Sequence, residues 1–201
     1  HLIVVTAEVV WGQAFWRNII ARMNRPELAF ATKSALCDWF LNNHVASLFL
    51  LDSDLLFLEP IDDLVSLLDS HPVVLVTSRH GIDEWDKSGR FGLFSAGIVG
   101  LTYNISLEIR KWKSACFDNC SAVPLSGTYY EQKYLDTFIN IPRVALIHDL
   151  GINISQTFLK AMAPYQDSEQ RWRVKDGTAI KLVDRLEFSK ANFTVAKDWG
   201  K

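Results

Sequence analysis

An apolar run, Ala46-Ser47-Leu48-Phe49-Leu50-Leu51, is cut by Asp52-Ser53-Asp54 and resumes as Leu55-Leu56-Phe57-Leu58. A short continuous apolar run of this kind fills a strand covered on both faces, as in the parallel sheets of α/β proteins. Two carboxylates dropped between two such stretches would cost several kcal/mol each on desolvation unless a cation meets them. Asp52 and Asp54 stand at positions i and i+2, which share one side of an extended segment. The sequence therefore predicts a doubly negative strand tip; the other reading of the triplet is a solvated turn with an Asp capping the next helix.

Around this tip, apolar runs alternate with helical patterns. His1 to Thr6 reads as a buried strand, and Trp11 to Met23 as a helix with apolar residues at Trp11, Phe15, Ile19 and Met23. Thr32 is placed to cap a helix from Lys33 to Leu41, a short helix follows from Ile61 to Leu68, and Val73 to Thr77 is a third apolar strand. Strand, helix, strand, helix, strand predicts an open, mostly parallel α/β sheet flanked by helices. Further on, Phe91 to Leu101 is apolar and contains Gly92, Gly97 and Gly100, which suits a strand approached closely by backbone or ligand. Helices are expected at Leu107 to Cys116 and Glu131 to Thr137, and a last core strand at Val144 to Ile147, ending in His148-Asp149. The polar stretch Arg79 to Arg90 reads as a long functional loop. One domain over 1–201 is expected, with its core at about 1–155 and a C-terminal extension over about 156–201. Because the chain opens in mid-strand, an element upstream is expected to be missing.

Composition narrows the function classes. The 201 residues carry 21 Lys and Arg against 23 Asp and Glu, a net charge of -2 that gathers neither nucleic acid nor anionic lipid indiscriminately. Cys37, Cys116 and Cys120 form neither a disulfide framework nor a zinc motif, and read as ordinary residues. No apolar run is long enough to span a membrane. Charge-bearing chemistry must then be local. Two same-facing carboxylates at the C-terminal edge of a sheet make a hard, oxygen-rich site for Mn²⁺ or Mg²⁺, where open α/β sheets bind their ligands.

Six segments in order over about residues 30 to 155 carry a resemblance. They are Lys33 in a helix before the strand, Leu50-Leu51-Asp52-Ser53-Asp54, Phe57-Leu58-Glu59-Pro60, Phe94-Ser95-Ala96-Gly97, Tyr130-Glu131-Gln132-Lys133-Tyr134-Leu135, and His148-Asp149-Leu150-Gly151-Ile152-Asn153. The set is similar to the GT-A-fold glycosyltransferases, Rossmann-like enzymes whose D-x-D motif holds the divalent metal of a nucleotide-diphosphate sugar. Order and spacing resemble the retaining, hexose-transferring branch, including bacterial enzymes of surface-polysaccharide assembly. The resemblance implies that Asp54 ligates the metal, that Asp52 contacts metal and ribose, and that His148 is the third ligand. It places Lys33, Ser53, Ser95, Ala96, Gly97, Gly151 and Asn153 against the donor, a UDP-sugar first among the candidates. Glu131 would contact sugar hydroxyls and Gln132 the reactive face of the anomeric carbon. Trp85 would close over the donor or carry an acceptor sugar, the acceptor being a glycan or another hydroxyl compound. Two positions depart from the family: Ser95 stands where an Asn is common, and Ile154 where a phosphate-binding Lys often follows, leaving Arg143, Lys160 or Arg173 to supply that charge.

Two other readings stay open. One is a non-catalytic or degenerate sugar-nucleotide-binding module that kept the fold and lost turnover. The other, ranked below, is a haloacid-dehalogenase-like phosphohydrolase, which wants Thr or Val where Leu56 stands. The resemblance implies the cytoplasmic side of a membrane, with peripheral attachment. Asn-x-Ser/Thr sequons at Asn104, Asn119, Asn153 and Asn192 point instead to a Golgi or secretory lumen.

Overall fold

The computed structural model of the chain describes residues 4–78, 91–121, 129–154 and 162–184. It opens with three helices, α1 (Ala7–Trp11), α2 (Gln13–Arg22) and α3 (Arg25–Asn43). Val4 to Thr6 are not the expected strand: they precede α1, and Val4 is 83% exposed. The helix expected over Trp11 to Met23 is broken at Gly12, which has a φ of 76°.

Helix α3 begins eight residues earlier than its periodicity suggests, because Asn24 and Glu27 form a reciprocal capping box. The Glu27 amide donates to Asn24 Oδ1 (3.0 Å) and the Asn24 amide to Glu27 Oε2 (3.1 Å), with Pro26 in the first turn. Thr32 is thus an interior residue, not a cap. Its hydroxyl donates to the Leu28 carbonyl and accepts from the Trp11 indole, tying α1 to α3.

The central sheet has four strands in the order β1-β4-β3-β5, with β1 at Ser47–Leu51, β3 at Val73–Thr77, β4 at Phe94–Thr102 and β5 at Ala145–Ile147. β4 runs antiparallel to both β1 and β3, whereas β3 and β5 are parallel. Three strands therefore share a direction, as expected, but the fourth is threaded against them. A buried apolar run does not encode strand direction, so the strand expected within Phe91 to Leu101 is found as β4 but its reversed direction was not visible in the sequence. Helices α3 and α5 (Ser106–Asp118) pack together over one face, burying Ala31, Ala35, Leu41, Ile109 and Trp112 with Leu75, Val99 and Leu101. A smaller cluster forms on the other face from Val76, Ile98, Ile152, Leu182 and Leu64, the last from α4 (Asp62–Ser66).

A second, three-stranded sheet joins β2 (Leu55–Phe57), β9 (Leu182–Asp184) and β6 (Ile152–Ile154) in the order β2-β9-β6. Between β6 and β9 lies the hairpin of β7 (Tyr165–Gln166) and β8 (Trp172–Arg173). Residues 162–184 are built into the body of the protein: β9 sits between β2 and β6, and Val174, Ile180 and Leu182 are fully buried. Cys37, Cys116 and Cys120 are buried free thiols, and burial pushes the Cys37 thiol up to about 12, far from nucleophilic use.

β6 and β9 meet at Gly151. Its carbonyl accepts from the amides of Lys181 and Leu182, and a Cβ at this position would lie 1.8 Å from the Ala179 carbonyl oxygen. Backbone cannot withdraw as a flexible side chain can. We expect Gly151→Ala to lower stability by about 1–3 kcal/mol through overpacking, measured by denaturant unfolding; an unchanged midpoint would show that the two segments are not held so tightly.

Candidate functional site

Asp52 stands where the two sheets part. Its amide donates to the Gly97 carbonyl (2.9 Å), continuing the β1–β4 ladder one residue beyond β1, and the Leu55 amide donates back to the Asp52 carbonyl (3.3 Å). The triplet Asp52-Ser53-Asp54 is therefore a tight turn carrying the chain from the four-stranded sheet into β2, and not the extended tip expected. Ser53 is exposed on this turn, while Asp52 and Asp54 are half-buried.

Opposite the turn, β4 makes room. Leu75 pairs with Val99 and Thr77 with Phe94, so two steps along β3 correspond to five along β4. The surplus residues fall at Ser95-Ala96-Gly97, a local irregularity of the sort that re-aims backbone beside functional sites. Gly97 suits this close approach: a Cβ would sit 3.1 Å from Asp52 Oδ2 and 3.3 Å from Ser95 Oγ, so those side chains would have to give by a few tenths of an ångström.

The third wall comes from the turn Tyr129 to Gln132, just before the 3₁₀ segment Lys133–Asn140. The Trp112 indole of α5 donates to the Glu131 carbonyl (2.9 Å) and fixes its depth. Gln132 is held by both ends of its amide, Oε1 accepting from the Ala96 amide (3.3 Å) and Nε2 donating to the Phe91 carbonyl (2.9 Å).

Lys33 of α3 joins these walls. Its ammonium lies 2.7 Å from Asp52 Oδ1 and 2.8 Å from Glu131 Oε1. The Glu131 side chain is only 2% exposed, and its second oxygen, Oε2, is buried with no hydrogen-bond partner among the described residues. Burial raises the Glu131 carboxyl above its ordinary value, with Lys33 opposing the rise. Burial by itself would lower the Lys33 ammonium, but Glu131 and Asp52 outweigh it and leave its pKa raised.

The result is a cleft of about 270 Å³ lined by Lys33, Asp52, Asp54, Ser95, Ala96, Gly97, Glu131, Gln132 and Asn153. Nine of the residues singled out in the sequence thus converge. Phe30, Tyr129 and Tyr130 complete the lining with Leu55. Sequence reasoning missed these aromatics as site residues, although Phe30 precedes Lys33 by one helical turn and Tyr130 adjoins Glu131. Tyr130 has a φ of 43°, a left-handed conformation rare for a bulky residue and costing on the order of 1–3 kcal/mol.

Other expectations are not gathered here. His148, at the end of β5, is exposed and does not line the cleft, and among the described residues no three His, Cys, Asp or Glu side chains group as a metal cage. Gly151 serves the β6–β9 packing. Arg173 is engaged by Asp167 (2.6 Å) and the Gly177 carbonyl, and Arg143 is exposed outside the cleft. Trp85, Lys160 and the Arg79 to Arg90 loop lie outside the described residues.

No family model matches the chain, and no curated protein matches it in sequence. Among solved structures it is similar to the apo form of mouse xyloside xylosyltransferase 1, at 10% identity and a TM-score of 0.51 over 89% of this chain and 72% of that one. The chain has a glycosyltransferase fold. The mixed sheet with flanking helices is GT-A-like.

Lys33→Met would strand the buried Glu131 carboxylate; removal of one partner from such a pair costs about 3–5 kcal/mol. We expect that loss in denaturant unfolding and recovery of much of it in Lys33→Met/Glu131→Gln; equal stability of single and double variants would refute the coupling. The sign of the pH dependence follows from the raised Glu131 value. A proton held more tightly by the folded state stabilises it fully below the ordinary 4.5, and this contribution is lost as pH rises through the raised folded value. Across that window wild type should lose stability relative to Glu131→Gln, and parallel pH profiles would show that burial does not perturb the carboxyl.

Proposed function

We propose that the chain is a divalent-metal-dependent glycosyltransferase that moves a hexose from a nucleotide-diphosphate sugar, first a UDP-sugar, to a hydroxyl acceptor with retention. The observation that carries this reading is the unpartnered Oε2 of Glu131, buried beside Lys33 and Asp52 in a cleft built at the strand ends. A carboxylate oxygen held without a donor in such a place suits a substrate hydroxyl, because an unsatisfied buried acceptor costs about 1–3 kcal/mol.

The donor set fits Mn²⁺ or Mg²⁺ in a limited way. Asp52 and Asp54 are hard oxygen ligands on one cleft, and Mg²⁺ is commonly held by one or two carboxylates with substrate phosphates completing the shell, not by an all-protein cage. A bound ion would act as Lewis acid and template for the departing diphosphate.

The chain's own residues divide the remaining work. Glu131 and Lys33 orient the sugar through its hydroxyls. Gln132 is held by Ala96 and Phe91, and its carbonyl oxygen, which accepts one hydrogen bond, has capacity for a second interaction with which to stabilise positive charge at the anomeric carbon. The bond from the anomeric carbon to the phosphate oxygen breaks with its electron pair leaving on the diphosphate. The acceptor oxygen bonds to that carbon from the same side, and its proton passes to the departing phosphate oxygen. Ser95, Ala96, Gly97 and Asn153, which line the cleft, bound the donor pocket in this reading.

Asp54→Ala leaves the Lys33 bridge intact. We expect it to abolish Mn²⁺-dependent UDP-sugar binding in calorimetry while the unfolding midpoint moves little; undiminished affinity would remove Asp54 from the metal site.

A further inference from the structure

The cleft has one wall that the donor chemistry does not use. Phe30 of α3 and Tyr130 stack with ring centroids 4.2 Å apart, and Tyr129 meets Tyr130 edge-on at 5.0 Å and Phe91 at 4.7 Å. Phe30, Tyr129 and Tyr130 all line the cleft and are only partly buried. Side chains seeking only a core would bury these rings fully, as Trp112 and Phe138 are buried nearby. The backbone is also held away from its preference: Tyr130 keeps a left-handed φ that brings its ring onto Phe30, while its amide donates to the Ser121 carbonyl (2.9 Å). A strained bulky residue persists where surrounding structure imposes it, and such residues cluster at ligand sites.

We propose that the Phe30–Tyr130–Tyr129 wall is a platform for the acceptor, and that the acceptor is a carbohydrate whose pyranose ring lies with its C–H face against the rings. The proposal rests on the glycosyltransferase reading and supplies the acceptor class that reading leaves open. One feature favours a sugar over a nucleobase. The cleft of about 270 Å³ combines aromatic rings with convergent polar groups, and once the donor has taken Asp52, Asp54, Lys33 and Glu131 the rings remain as the surface that a second sugar can meet.

The test uses saturation-transfer NMR on the full chain with the methyl glycosides of glucose, galactose, mannose and xylose, beside calorimetry of Mn²⁺ with UDP. Tyr130→Asn removes the ring with a residue that tolerates left-handed backbone, and Phe30→Leu removes the other ring within the helix. At least one glycoside should show transfer to its ring C–H protons in wild type, weakened tenfold or more in both variants, with UDP affinity within twofold of wild type. Absence of transfer to every glycoside in wild type, or transfer unchanged in both variants, overturns the platform. If UDP affinity instead falls with the rings while glycoside transfer does not, the wall holds the nucleobase and the proposal fails. Failure of UDP to bind wild type at all, with glycoside transfer intact and ring-dependent, would sink the transferase reading and leave the carbohydrate platform standing.

Discussion

One ammonium group holds the cleft together. Lys33 reaches from the middle of α3 to the end of β1 and to the turn before the 3₁₀ segment, so a single side chain ties three elements that share no hydrogen-bond ladder. Its two carboxylate partners differ in kind. Asp52 faces the cleft and is partly solvated, whereas Glu131 is buried to 2% exposure, where an isolated charge would be untenable. The bridge therefore does more than add an ion pair: it permits an acidic side chain to stand at the bottom of an apolar wall. Breaking such a bridge is expensive even where forming it contributes little, which makes the geometry stiff without making the protein especially stable.

Around that bridge the backbone is shaped by absences of side chain. Gly97 lets Asp52 close against β4, and Gly151 lets β6 close against the segment leading to β9. The two contacts lie in different sheets, and the turn Asp52-Ser53-Asp54 passes between those sheets. The carboxylates are positioned, then, by the junction of two sheets, one locking each side of the turn. The surplus of residues on β4 opposite β3 opens the space into which the turn faces.

Much of this was legible in the sequence, because burial leaves a local signature. The apolar run Val73 to Thr77 is a strand residue for residue, Ala46 to Leu51 is off by one, and the helix expected at Leu107 to Cys116 is α5 with one residue added before it and two after. Nine of the expected site residues meet on one cleft, brought there by α3, the turn after β1, β4, the turn before the 3₁₀ segment and β6. What was not legible is what locality does not encode. Strand direction left no trace in Phe94 to Thr102, and β9 is too short to show a period. Phe30 and Tyr130 are a hundred residues apart in sequence, and nothing but the packing of α3 against the turn brings them together. The late start assigned to α3 is a different matter: Asn24-x-x-Glu27 with Pro26 was in plain view, and the apolar spacing was followed instead of the cap.

The charge balance of the cleft says how a diphosphate could enter it. Asp52, Asp54 and Glu131 face one Lys33, and that lysine is already committed to two of them. A surface with spare carboxylates repels a pyrophosphate that arrives alone. Arg173, one of the basic candidates, is bound to Asp167, and among the described residues lining the cleft Lys33 is the only basic one. On the proposed function positive charge would travel with the substrate. A divalent cation chelated by the diphosphate would meet Asp52 and Asp54 as its remaining ligands, so cation and nucleotide would each bind weakly by themselves and tightly together. While the Lys33 ammonium occupies Oδ1 of Asp52, Oδ2, on the Gly97 side, would be the oxygen available to such an ion.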